Sequence, residues 1–128
     1  MPDPALLSGL RVMIVEDEAM VSMMIEDMLG AIGCVVVAMA ASLTRGLALV
    51  DDDALALDAA VLDVNLSGEK VYPIAERLAA KHVPFIFSTG YGHQGLAEQF
   101  ARVPTLTKPF GAPQLEEMLI SALDQGRA

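Results

Sequence analysis

Four short apolar runs in this chain each end in a charged or hydroxyl group, and that repetition constrains the fold more than any other feature. Val12-Met13-Ile14-Val15 runs into Glu16-Asp17-Glu18, Ala60-Val61-Leu62 into Asp63, Phe85-Ile86-Phe87 into Ser88-Thr89, and Pro104-Thr105-Leu106-Thr107 into Lys108. Segments of helical period separate the runs, which is the pattern of βα repeats and a parallel sheet. If the runs are parallel strands of one open sheet, all four polar ends emerge at the same carboxyl edge. That edge is where open α/β sheets bind ligands.

The segments between the runs support this reading. Val21, Met24, Ile25, Met28, Leu29 and Ile32 follow the i, i+3, i+4 rule, so Met24 and Met28 are expected on the core face and Met20 and Met23 off it. The off-face pair reads either as gap-filling at the edge of the core or as a soft apolar surface for a partner helix. Gly33 stops this helix, residues 34–37 form the second strand, and Ser42 caps a short helix carrying Leu43, Leu47 and Val50. A third helix buries Val71, Ile74, Ala75 and Leu78 before His82 and Pro84 end it. The last has Pro113 in its first turn and Leu115, Met118, Leu119, Ala122 and Leu123 on one face. Residues 90–103 are different, with Gly90, Gly92 and Gly95 ahead of only Leu96, Phe100 and Val103 as apolar positions. Three glycines add backbone entropy that so short an apolar face hardly offsets, so a mobile loop with at most a short helix is expected.

A chain of 128 residues fits one domain, with a core expected over 9–125 and an N-terminal extension at 1–8. No run of about 18 apolar residues suggests a membrane span, and the N-terminus lacks the basic flank and apolar stretch of a signal peptide, so a cytoplasmic location is expected. The single Cys34 excludes a disulfide framework and reads as an inert buried thiol. A net charge of −9 argues against nucleic acid as a partner, because such proteins present basic patches to phosphates. Asp51-Asp52-Asp53 reads as a solvated turn.

Carboxylates converging from two strands resist joint ionisation, which raises the pKa of at least one unless a cation neutralises them. Magnesium suits such a site, since it is usually held by one or two carboxylates and keeps waters for a phosphate to displace. Lys108 then acts as a point charge on a phosphoryl oxygen.

The acidic pair Glu16-Asp17, the lone Asp63, the hydroxyl of Thr89 and Lys108-Pro109, in that order and spacing, resemble a response-regulator receiver domain over nearly the whole chain. Phe87-Ser88-Thr89-Gly90-Tyr91-Gly92 further resembles the signature of the FAT GUY subfamily of receivers. The resemblance implies a doubly wound, flavodoxin-like sheet of five parallel strands in the order 2-1-3-4-5. It implies that Asp63 accepts a phosphoryl group from a kinase phosphohistidine, with Thr89 and Lys108 on the phosphoryl oxygens. Magnesium would be held by Glu16, Asp17, Asp63 and the backbone carbonyl of Asn65. The partner would be a histidine kinase of the HWE or HisKA2-like type, with a phosphotransfer protein or a downstream target beyond it. The Lys108-Pro109 bond is typically cis in the family.

One departure stands out. Receivers commonly carry an aromatic residue two positions before the lysine as a switch, and Thr105 occupies that place. A switch through ordering of residues 90–103, with Tyr91 as an apolar anchor, is expected instead. Ser88 competes with Thr89 for the pocket, but strand alternation aims only one of them there, and Thr89 is the choice. With no output domain after Ala128, the chain reads as a stand-alone signalling domain rather than an enzyme in the usual sense: an effector, a relay intermediate or a phosphate sink. Two other readings are weighed. A small haloacid-dehalogenase-like phosphatase would need an acid where Asn65 stands. A flavodoxin-like electron carrier would need a hydroxyl- and glycine-rich loop where Glu16-Asp17-Glu18 stands.

Overall fold

In a computed structural model, residues 4–90 and 96–127 are described. A 3-10 turn (Pro4–Leu7) precedes β1 (Arg11–Val15), α1 (Ala19–Ala31), β2 (Val35–Ala40), α2 (Leu43–Val50) and β3 (Ala59–Asp63). A hairpin follows, β4 (Asn65–Leu66) and β5 (Glu69–Lys70), and then α3 (Tyr72–Ala80), β6 (Phe85–Thr89), a 3-10 helix (Glu98–Phe100), β7 (Thr105–Thr107) and α4 (Ala112–Arg127). The main sheet runs β2-β1-β3-β6-β7 with every neighbouring pair parallel. Counting only its own strands, that is the order 2-1-3-4-5.

Strand alternation sorts the core into two layers. Met13, Val15, Ala60, Leu62, Phe85 and Phe87 pack under α2 and α3, whereas Val12, Ile14, Val61, Ile86 and Leu106 pack under α1 and α4. Each fully buried Leu or Ile among them is worth about 1.5–3 kcal/mol of transfer free energy. Two glycines do work that a side chain prevents. Gly33 takes φ +96° just past α1, and a Cβ on Gly46 would press on Ile74 Cδ1, so glycine lets α2 sit this close to α3 without displacing that side chain. Ser42 caps α2 by accepting from Arg45 N at 3.1 Å.

Several expectations change. Met24 is exposed, because the buried stripe of α1 runs through Ser22, Ile25 and Leu29, which bears out Ile25 and Leu29 on the core face and leaves Met24 at its edge. A small serine at the contact replaces the methionine, and Met24 instead edges an open apolar groove of about 240 Å³ beside Pro109 and Phe110. The second strand starts at Val35 and extends to Ala40, leaving Cys34 buried just ahead of it, with burial pushing its thiol up to about 11. Leu7, assigned to an extension, is fully buried in the layer under α1 and α4, as is most of Ile120.

Among the described residues of the 90–103 segment, Glu98–Phe100 form a short 3-10 helix, held by Phe100. That ring stacks on Tyr72 at 5.2 Å and meets the edges of Phe85 and Phe87, while Ala97 N donates to the Tyr72 hydroxyl at 3.0 Å. Tyr91, Gly92 and Gly95, on which the expected loop switch turns, lie outside the described residues. Thr105 is buried, and its hydroxyl donates to Val103 O at 2.9 Å. Among the described residues, no helix is long and apolar enough to cross a membrane.

Candidate functional site

The register brings the polar strand ends level. Val15 pairs with Leu62, Asp63 with Ser88, and Thr89 with Thr107, so the residue after Val15, the end of β3, the end of β6 and the residue after β7 share one edge. Glu16 N still donates to Ala40 O at 3.0 Å, which keeps Glu16 in the ladder and only 2% exposed. Asp17 has left the ladder, and its Oδ2 accepts from Ser67 N at 3.0 Å and Ser67 Oγ at 2.8 Å. Carboxylate oxygens of Glu16, Asp17 and Asp63 lie within 4.8 Å of one another. At that separation two full charges repel by roughly 3 kcal/mol for an effective dielectric constant of 20.

Lys108 is the ammonium that offsets this repulsion. Its backbone N donates to Thr89 O at 2.8 Å, which fixes where the side chain starts, and Nζ donates to Glu16 Oε1 at 2.9 Å and Asp63 Oδ2 at 3.2 Å. The Lys108-Pro109 bond is cis. Burial alone would lower the lysine's pKa, but the Glu16 hydrogen bond and the Asp63 charge carry it above its ordinary value. The converse holds for Glu16, whose burial pushes its carboxyl up to about 7 despite the hydrogen bonds from Lys108 and from Glu18 N. For Asp17, burial is outweighed by the Ser67 bonds, and its pKa falls below the usual carboxylate value. One ammonium among three carboxylates leaves the cluster short of positive charge. Three hard oxygen donors in that state fit a magnesium ion, which tolerates few protein ligands and keeps waters.

The cleft above the cluster, about 530 Å³, is lined by Asp63, Thr89 and Lys108 together with Asp17, Asn65 and Gly90. Alternation separates the two hydroxyls as expected: Thr89 faces this cleft, whereas Ser88 Oγ is fully buried and, among the described residues, has no hydrogen-bond partner. Asn65 contributes its N–H to Asp63 Oδ1 at 3.2 Å, and its side-chain oxygen accepts from Gly68 N at 3.0 Å. Sequence reasoning missed Ser67 and Lys70, which reach the site on the β4–β5 hairpin. Ser67-Gly68 between two-residue arms was the available signal, since both take positive φ, 52° and 92°, as a tight two-residue hairpin turn requires.

No curated protein matches the chain. Among solved structures it is similar to SdrG from Sphingomonas melonis Fr1, at 40% identity and a TM-score of 0.79 over 90% of this chain and 96% of that one. A BeF3-activated conformation of SdrG from Pseudomonas melonis Fr1 is 38% identical, with a TM-score of 0.76 over 91% and 98%. The response regulator PhyR from Brucella abortus is 27% identical, with a TM-score of 0.74 over 93% of this chain, which spans only 49% of that protein. The response regulator receiver domain family matches residues 12–120, a span that takes in the five strands of the main sheet apart from Arg11 and every member of the acid, hydroxyl and lysine cluster. The chain therefore belongs to the response regulator receiver domain family.

Proposed function

We propose that the chain takes a phosphoryl group from the phosphohistidine of a histidine kinase onto Asp63 and that the phosphorylated form changes its contacts with a target protein. The observation that carries this reading is the convergence of Asp63, Thr89 and Lys108 on one cleft beside the acid pair. An Asp63 carboxylate oxygen attacks phosphorus, an O–P bond forms, and the N–P bond breaks with its electron pair left on the imidazole. Asp63 is already oriented, since Asn65 N holds one oxygen and Lys108 the other. Phosphoryl transfer asks mainly for in-line positioning and cancellation of charge on the equatorial oxygens. Lys108 transfers its ammonium from the carboxylates to a phosphoryl oxygen, and the Thr89 hydroxyl donates to another. Glu16, Asp17, Asp63 and the backbone carbonyl of Asn65 would hold magnesium, which would supply positive charge to the transferring group.

The exposed methionines at the start of α1, Met20 at 77% and Met23 at 61%, offer the kinase an apolar surface beside Asp17. A kinase of the HWE or HisKA2-like type, a cytoplasmic setting, and a further phosphotransfer protein or target complete the reading. The BeF3-activated conformation of the similar SdrG supports a phosphoryl-responsive site. The test is incubation of the purified chain with radiolabelled acetyl phosphate and magnesium. Transient label on Asp63, lost with EDTA, is expected. Steady turnover of organic phosphates would instead indicate a phosphatase, and bound flavin an electron carrier.

A further inference from the structure

The β4–β5 hairpin carries to the cleft a second cation that the transfer step does not use. Asn65 and Lys70 are direct cross-strand partners, and opposed residues of an antiparallel pair project from the same face. Lys70 therefore extends from the face that Asn65 shares, two positions beyond Asp63, and it lines the same cleft as Asp63, Thr89 and Lys108. The Asn65 side-chain oxygen is engaged by Gly68 N inside the turn. Two hydrogen bonds from Ser67 strap the turn to Asp17, so the hairpin that presents Lys70 is tied to the acid pair.

Charge at the cleft explains what such a lysine does. Asp17, Glu18 and Asp63 line it, with Glu16 buried behind, and Lys108 is shared between Glu16 and Asp63. Among the described residues, Lys70 forms no ion pair. An anionic phosphodonor approaching this cleft meets net negative charge, and the unpaired ammonium is the group on its path that attracts it. A cleft of about 530 Å³ also has room for the rest of a small donor beyond the phosphoryl group.

Resting on the phosphoacceptor reading above, we propose that Lys70 is a specificity-determining residue for donor charge, drawing small dianionic acyl phosphates into the cleft and holding their oxygens as Asp63 attacks. The Asp63 oxygen forms its bond to phosphorus, the bond between phosphorus and the acyl oxygen breaks, and the electron pair leaves with the carboxylate. Charges that focus a field at a cleft act on association and are weakened by salt.

The experiment compares wild type with Lys70→Gln, Lys70→Glu and Lys70→Arg, using acetyl phosphate as the dianionic donor and phosphoramidate as the monoanionic one, with magnesium at low and high ionic strength. For acetyl phosphate at low salt the second-order rate constant should fall about threefold in Lys70→Gln and about tenfold in Lys70→Glu, and stay near wild type in Lys70→Arg. The loss should be smaller with phosphoramidate and should shrink towards wild type near 0.5 M salt. The magnesium-induced rise in Tm should persist in Lys70→Gln, since Lys70 is not a ligand. Equal rates for wild type and Lys70→Glu with acetyl phosphate at low salt overturn the proposal. So do equal losses with both donors at every salt concentration, or a lost magnesium effect, because these mark a damaged hairpin. A wild type that takes no label from either donor removes the phosphoacceptor reading itself, and this one with it.

Discussion

Among the described residues, acids pair with basic side chains in two regions, and only one of the two is held out of water. Between α2 and α3, Arg77 bonds Asp51, and Lys81 approaches Asp53 at 3.3 Å, with the Asp51 and Arg77 side chains each half exposed and Asp53 almost wholly so. The Arg77 hydrogen bond lowers the Asp51 pKa, and Asp51 raises that of Arg77, which is ordinary ion pairing in water. At the carboxyl edge Lys108 lies 2.9 Å from a Glu16 side chain only 1% exposed, and the Glu16 carboxyl is still pushed up to about 7. The difference is solvent. Exposed pairs are screened and contribute little, whereas buried carboxylates outnumbering their cation hold unmet negative charge that a divalent cation would relieve.

The sharpest way to break this contrast is Asp63→Asn, which should abolish labelling by acetyl phosphate while leaving the circular dichroism spectrum unchanged, because the amide keeps the shape and removes the nucleophile. Label retained at a comparable rate would move the acceptor elsewhere.

A second test uses pH. The folded protein without metal keeps Glu16 protonated to about pH 7, while the unfolded chain releases that proton near 4.5. Between those values the folded state holds more protons, so this group's contribution to stability falls as pH rises, by on the order of 3 kcal/mol across the window. Glu16→Gln should remove that decline, read as the difference between wild-type and variant urea midpoints from pH 4.5 to 7. Parallel curves would place the charge strain elsewhere. Magnesium favours the ionised acid, so its Tm effect should be larger at pH 8 than at pH 5 in the wild type and weaker in Glu16→Gln.

The two adjacent hydroxyls give a smaller effect. Among the described residues Ser88 Oγ is buried without a hydrogen-bond partner, so Ser88→Ala should stabilise the protein by about 1 kcal/mol in chemical denaturation, as removal of an unsatisfied buried group does. A destabilised variant would show that the hydroxyl has a partner. Smallest of all, Arg77→Ala should shift Tm by no more than about 2 °C, and less in high salt. A larger loss in calorimetry would make the exposed pair a structural tie and erase the contrast.

The parallel sheet was legible because its central strands are buried on both faces and read as short apolar runs, each stopped by a polar residue. Glu16, Asp63, Thr89 and Lys108 were legible for the same reason, since a run that ends in a charge marks where the strand leaves the core. Met24 was not. The periodicity of α1 puts Met24, Ile25, Met28 and Leu29 on one face, and only packing against the sheet and α4 centres burial on Ile25 and Leu29, with Met28 partly buried and Met24 left exposed. Lys70 was hidden because its place depends on a two-residue turn folding the chain back over the cleft.

By itself, then, the sequence determined the alternation of strand and helix and the chemical set at one sheet edge, because both follow from local apolar runs and where they stop. Tertiary structure decided which face of α1 is buried, that Leu7 joins the core, and that Ser67 and Lys70 stand over the acid pair. Those outcomes depend on which surfaces meet, and side chains distant along the chain come within reach only when the sheet and its helices pack together.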